Sequence, residues 1–327
     1  MEYTKKVKSR VVGVDISIEA TTYAIVDVRG NIIAQESFPT PLSDNLDVYI
    51  SELCERIMRL IAENDSLELV RSVGVCCASS NYETGCIENA PNLPWKGIVP
   101  LAAMMRDRLG LAVALANNSQ CIALGEQSFG SAHGMKDFVI ITIGHGLGSC
   151  IFSNGKMHLG NKGFAGEVGH ACVVPNGREC GCGRHGCLEA YCAEKGIVRT
   201  ALELMEECNE PSLMRQETKL TSKKVFECCE QGDALAIETF RRTGDMLGIG
   251  LANYASVLNP EAIILTGGIS RAGKWLLEPM EQSFEEHVFR NIQGKTKIVV
   301  SSLKDSELDV LGASVLAWTV KEYSLFL

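Results

Sequence analysis

The spacing of apolar and polar positions divides the chain into strand-like and helix-like stretches. The first is VVGVDISIEATTYAIVDVRGNIIAQESF at 11–38. There a β-branched run, a polar loop, a second run and a third meet through the turn Arg29-Gly30-Asn31. The same grammar returns in FVIITIGHGLGSCIFSNGKMH at 138–158, with a glycine-rich loop after the strand and Asn154-Gly155 as a hairpin signal. Two copies of strand, loop, strand, turn and strand suggest a duplicated α/β unit. Two unrelated hairpins are the alternative.

Between the copies, the pattern predicts a helix at 46–63, a strand at 70–77, a turn-rich segment at 79–97 and a helix at 99–109. An apolar run at 109–116 then ends at Asn117 and Asn118, and Ser119 offers a helix cap before the apolar face of Ile122, Ala123 and Leu124. Two amides at the C-terminal end of a strand stand where α/β proteins place ligands. Helical periodicity dominates 189–257, with a charged, less regular patch at 206–222, and the apolar helix 244–258 stops at Asn259-Pro260. A buried strand in AIILTGGIS (262–270) feeds a Gly-Gly turn. A final amphipathic helix covers 309–323, with Leu311, Val315 and Trp318 near one face. No low-complexity linker appears, so the domain boundary is expected as a hinge near 115–120.

Composition narrows the class. A chain of 327 residues that is 46% hydrophobic is long enough for two domains. A net charge of −9 disfavours a general nucleic-acid surface. The N-terminal MEYTKKVKSR reads as a solvated basic tail with no apolar leader, and nothing later reaches membrane-spanning length. The fourteen cysteines, without a signal peptide, read as reduced thiols of a cytoplasmic protein.

The strongest chemical signal is GHACVVPNGRECGCGRHGCLE at 169–189. His170, Cys180, Cys182 and Cys187 supply one imidazole and three thiolates, a complete tetrahedral set for a structural Zn²⁺. Gly181, Gly183 and Gly186 let the short loop bend its sulfurs toward one point. The alternative is a group of core cysteines, which seldom sit among Gly, Arg and His; the other eleven read as buried small hydrophobes. Asp15 closes the first strand, GHGLG (144–148) follows the second and TGG (266–268) the late one. Each turn alone is weak, but together they point to a nucleotide-type cleft. Glu167 and Glu189 flank the cysteine loop, where they are able to bond a polyol; a surface role is the bland alternative.

The duplicated unit, AGEVGH (165–170), CGCGRHGCLE (180–189), APNLPW (90–95) and NPEAIILTGGIS (259–270) together resemble the ROK family of repressors, open reading frames and kinases. The resemblance runs from Val11 to Ala317. It implies a duplicated ribonuclease-H-like, actin-like ATPase fold of two lobes, with an inserted zinc loop and a homodimeric assembly. The N-terminal lobe would be 1–117, completed by the C-terminal helix 309–327, and the larger lobe 118–308 would carry the zinc loop 170–187. Carried over by position, Glu167, His170 and Glu189 would meet sugar hydroxyls, with Asn92, Asn117 and Asn118 as further contacts. Asp15, Gly144, Gly146, Gly267 and Gly268 would face the nucleotide. The substrate class implied is a hexose or N-acetylhexosamine, with Mg-ATP as donor only if the kinase reading holds; no direct nucleic-acid binding and no membrane are expected.

Several positions depart from the family pattern. Active kinases carry Asn-Asp where this chain has Asn117-Asn118, and the replaced aspartate is the base that takes the sugar hydroxyl proton. Losing such a base costs about 10²–10⁴-fold. The first phosphate loop, Asp-x-Gly-Gly-Thr in the family, reads DISIEA at 15–20. Ser17 and Ile18 replace both glycines and Glu19 adds negative charge. At about 5 Å and an effective dielectric of about 20, that charge opposes phosphate by roughly 3 kcal/mol per unit charge. His145 replaces a threonine in the second loop, and Cys76-Cys77 replaces a Pro-Gly. The expectation is therefore a sugar-binding relative with little kinase activity, a sensor or very weak kinase. The alternatives are an active kinase with Glu19 or His145 as a displaced base, and a repressor core. Only ten residues precede Val11, too few for the family's DNA-binding module.

Overall fold

Two five-stranded sheets built in the same order organise the computed structural model, which describes residues 7–41, 45–64, 67–90 and 93–320. In chain order the first elements are β1 (Arg10–Ile16), β2 (Ala20–Asp27), β3 (Ile32–Pro39), α1 (Leu46–Asn64) and β4 (Val70–Cys77). They are followed by β5 (Ser80–Asn81), β6 (Cys86–Glu88), β7 (Ile98–Val99), α2 (Leu101–Leu109), β8 (Ala112–Ala116) and α3 (Asn118–Phe129). Next come β9 (Phe138–Ile143), β10 (Leu147–Ser153), β11 (Lys156–Met157), α4 (Glu189–Cys192), α5 (Glu194–Glu207) and α6 (Ser222–Glu230). The last are α7 (Ala234–Leu258), β12 (Ala262–Thr266), α8 (Lys274–His287), β13 (Lys297–Val300) and α9 (Asp305–Thr319).

The first sheet runs β3-β2-β1-β4-β8 and the second β11-β10-β9-β12-β13. In each, a three-stranded antiparallel meander is extended by two parallel strands, β4 and β8 in one and β12 and β13 in the other. The duplication read from the repeated grammar is thus a duplication of topology.

The described residues form two compact units. The first contains residues up to His133, Leu159–Phe164 and those from Leu303 on; the second contains Gly134–His158 and Ala165–Ser302. The hinge expected near 115–120, with lobes at 1–117 and 118–308, differs from this division because α3 stays with the first unit. The cause is close packing: a Cβ added at Gly312 of α9 would lie 2.0 Å from the Cys121 carbonyl oxygen of α3. Val11, Ala24 and Val26 of the sheet bury against Val310, Leu311 and Ala317 of α9. That helix begins at Asp305, earlier than the expected 309, and is buried on most sides rather than amphipathic. The part of the expected helix beyond Val320 lies outside the described residues.

Two further local differences have plain causes. The turn-rich 79–97 segment contains β5 and β6, which join β7 just beyond it in a small sheet whose strands are too short to register as periodicity. The helix expected at 244–258 starts at Ala234, where Asp233 caps it by accepting the Ala236 N–H at 3.0 Å. Gly244 and Gly248, which resemble a helix start, are instead where α7 meets α8: added Cβ atoms would lie 2.8 Å from the Leu276 oxygen and 2.5 Å from the Met280 oxygen. Among the described residues no helix is long and apolar enough to cross a membrane.

Candidate functional site

In the first unit the parallel strands β1, β4 and β8 bring Asp15, Cys76 and Ala116 into register at their C-terminal ends. The chain then turns into α3. Asn117, rather than Ser119, is the cap: its Oδ1 accepts the Ser119 N–H at 3.0 Å while Gln120 Oε1 accepts the Asn117 N–H at 3.2 Å. The oxygen of Asn117 is committed to the helix start, which leaves its amide nitrogen as the group able to face a ligand.

Asn118 opens α3, and its Nδ2 donates to Oδ1 of Asp309 at 3.5 Å. The Cys76 thiol donates to the same oxygen at 3.4 Å. Asp15, Cys76 and Asp309 place one ligand-type atom each within 4.8 Å of one another. Asp15 Oδ1 is buried without a hydrogen-bond partner among the described residues. Burial first, and the nearby Asp309 charge second, push Asp15 up to about 8 from the usual 3.8, against the opposing Cys76 hydrogen bond. Burial also raises Asp309, while Cys76 and Asn118 pull it back. Two carboxyls this close and this buried favour sharing one proton. Motif reading passed over Asp309, which lies 191 residues from Asn118. The available signal was an acidic residue in an otherwise apolar run, LDVLGASVLAW.

The turn between β1 and β2 is closed on itself. Ser17 N–H donates to the Ala20 oxygen at 3.1 Å, Ser17 Oγ donates to the same oxygen at 2.8 Å, and the Ala20 N–H donates to Ser17 Oγ at 3.2 Å. Two backbone donors that a phosphate-binding loop would offer to an anion are thus satisfied within the turn. Ile18 and Glu19 are exposed at its tip.

In the second unit, Glu189 at the start of α4 accepts the Leu147 N–H on Oε2 at 2.9 Å. A Cβ at Gly146 would lie 2.8 Å from that oxygen, so the glycine gives the carboxylate room. His145 Nδ1 pairs with Glu194 at the start of α5 and the ring is exposed, which ties it to a different partner from a reacting hydroxyl. Gly267 adopts φ +84 with its missing Cβ facing the Ile143 oxygen, whereas Gly268 and Gly144 have open space at theirs. Glu167 is exposed beside the short 3₁₀ turn Val168–His170. Asn92 lies outside the described residues.

The cysteine loop converges as its spacing suggests. The ligand-type atoms of His170, Cys180, Cys182 and Cys187 lie within 4.8 Å of one another. Cys182 and Cys187 sulfurs are 3.7 Å apart, close to the edge of about 3.8 Å that four Zn–S bonds of about 2.3 Å would set in a tetrahedron. Cys180 Sγ is 3.7 Å from His170 Nδ1, so Nε2 is the ring nitrogen left to face a ligand. The backbone N–H of Arg184 bonds the Cys182 sulfur and holds that thiol below its ordinary range, favouring the thiolate a metal needs. The donor set fits a tetrahedral metal. Of the eleven cysteines outside the ligand set most are buried, but Cys172 is exposed and Cys86 and Cys208 are half-buried, unlike core residues.

Two units that repeat one mixed-sheet topology, each with a loop or helix start at its strand ends, match the actin-like ATPase fold. The chain belongs to the ROK family, whose profile matches residues 11–320. It is 32% identical to a glucokinase of Halalkalibacterium halodurans over 95% of this chain and 94% of that one. It is 27% identical to the xylose repressor of Caldicellulosiruptor bescii over 92% of this chain and 76% of the repressor. Among solved structures, a ROK glucokinase from Streptomyces griseus in complex with glucose and AMPPNP matches with a TM-score of 0.78, 30% identity, and 94% and 99% coverage of the two chains. A ROK transcriptional regulator, homologous to the E. coli MLC protein, matches with a TM-score of 0.84 at 25% identity, covering 94% of this chain and 77% of that one.

Proposed function

We propose that the chain binds a hexose or N-acetylhexosamine and transfers to it, slowly, the γ-phosphoryl group of Mg-ATP, with the donor side limiting the rate. The glucokinase relatives and the glucose–AMPPNP complex support the substrate pair. Glu167, His170 and Glu189, with Asn92, Asn117 and Asn118, read sugar hydroxyls; Asp15 and the glycines Gly144, Gly146, Gly267 and Gly268 serve the nucleotide. His170, Cys180, Cys182 and Cys187 would hold a structural zinc that ties residue 170 to the 180–187 loop, at whose end Glu189 stands.

The observation that carries the slow rate is the self-closed β1–β2 turn, which spends the Ser17 and Ala20 N–H groups internally and presents Glu19. In the reaction the sugar oxygen forms a bond to the γ-phosphorus, the bond to the β–γ bridging oxygen breaks, and the hydroxyl proton passes to a base. The Asn118 amide does not take that proton at neutral pH.

The test is a panel of hexoses followed first by thermal shift and then by sugar-dependent ADP release. The expected result is a rise in melting temperature with at least one hexose and turnover below about 1 s⁻¹, under the range of ordinary enzymes. Hexose binding without any ADP release would favour the second reading, a sugar-responsive regulator, which the match to the regulator structure supports.

A further inference from the structure

We infer that Asp309, on α9, is the base that accepts the sugar hydroxyl proton in place of the residue at 118. This rests on the kinase reading above. A base must lie within hydrogen-bond reach of the hydroxyl it deprotonates. Asp309 Oδ1 is 3.5 Å from the Asn118 amide, so its carboxylate borders the place that an aspartate carboxylate at 118 would occupy. The two donors on Asp309, the Asn118 amide and the Cys76 thiol, both converge on Oδ1. That leaves Oδ2 to accept.

The surroundings suit the role. Both neighbours donate to Oδ1, which fixes the orientation of the carboxyl group. Asp15 stands beside it, a second carboxyl close enough to share a proton with it. The other carboxylates and imidazoles near the changed loops are less well placed: Glu19 is exposed on a turn and His145 is paired with Glu194. The net effect is an exchange of roles between two helices. Asn118 at the start of α3 becomes the donor that holds the acid, and α9 supplies the acid.

In the step, the hydroxyl oxygen bonds to the γ-phosphorus as ADP leaves, and the hydroxyl proton ends on Asp309 Oδ2. The proton is released to water after the product departs.

Three proteins test it: wild type, Asp309→Asn, and the swap Asn118→Asp with Asp309→Asn. Each is assayed for hexose phosphorylation with Mg-ATP and for hexose-induced thermal shift. Loss of a general base is expected to lower kcat of Asp309→Asn by about 10²–10⁴-fold with hexose binding retained. The swap restores a carboxylate to the same space and should recover at least a tenth of the wild-type rate. A purely structural role for Asp309 would not give that rescue. If Asp309→Asn does not fold, the swap alone decides: recovered turnover supports the assignment and an inactive, folded swap overturns it. An active wild type with Asp309→Asn unchanged overturns the base assignment while leaving the kinase reading intact. A wild type that binds hexose but transfers no phosphoryl group overturns both.

Discussion

The side-chain amide of Asn118 donates to the carboxylate of Asp309 across a 3.5 Å gap between α3 and α9, although 191 residues separate the two in the chain. This pairing alters what the missing aspartate at 118 means. On the proposed kinase reading, residue 118 lacks the acid of the family's base, while its immediate surroundings hold the Asp309 carboxylate.

Repairing the donor loop should raise activity more than repairing residue 118. Ser17→Gly with Ile18→Gly and Glu19→Thr opens the turn that Ser17 and Ala20 now close and removes the exposed carboxylate. The KM for ATP should fall by at least tenfold, since one charge at close range is worth roughly 3 kcal/mol to a phosphate. Asn118→Asp alone adds a third acid beside Asp15 and Asp309 and should give no gain. Steady-state kinetics at saturating hexose decide between these.

Much of this was legible in the sequence, for identifiable reasons. Strand β4 matches the expected 70–77 because a β-branched run carries its own period. The cysteine loop was legible because metal-type spacing is local. The pair Asn118–Asp309 was not, since no local pattern reports a tertiary contact between helices. Nor was the extent of α7, where Gly244 and Gly248 serve close packing against α8 rather than marking an end. The capping role of Asn117 was also missed, because Asn, Asn and Ser in succession are all good caps.

Stability should depend on pH through Asp15. Its carboxyl is raised on folding from 3.8 to about 8, so the protonated form is the one the fold prefers. The contribution is complete below about 4 and is lost as the pH rises through about 8. Asp15→Asn has no such proton to lose. The melting temperature of wild type should therefore fall relative to Asp15→Asn by several degrees between about pH 5 and pH 8. Parallel curves for the two proteins would show that Asp15 is ionised throughout.

Metal analysis should find about one zinc per chain in protein purified without chelators. Cys182→Ser should release it and lower the melting temperature, because His170, Cys180 and Cys187 then lack their fourth ligand. Hexose affinity should weaken as well, through the displacement of Glu189, whose Oε1 lies 3.5 Å from the Cys180 sulfur. Zinc-free protein with undiminished stability would contradict the structural role.

Gly74→Ala should be among the most damaging single changes in the first unit. The added Cβ would lie 1.9 Å from the Ala313 oxygen and 2.8 Å from the Ala317 nitrogen, both backbone atoms of α9. Moving that helix also disturbs the bond of 2.7 Å from Ser72 Oγ to the Ala317 oxygen. A loss of about 3 kcal/mol or more is expected from overpacking of this kind, read by urea denaturation. Because Asp309 rides on the same helix, residual turnover should fall further than stability alone explains.

The most direct measurement follows hexose phosphate itself in protein whose Asn118 is shown by mass spectrometry to be fully amidated, since Asn118-Ser119 is open to deamidation. Incubation with Mg-ATP and the best-binding hexose should yield sugar phosphate, seen by phosphorus NMR, at less than about 1 s⁻¹. No sugar phosphate above a protein-free control would contradict the account.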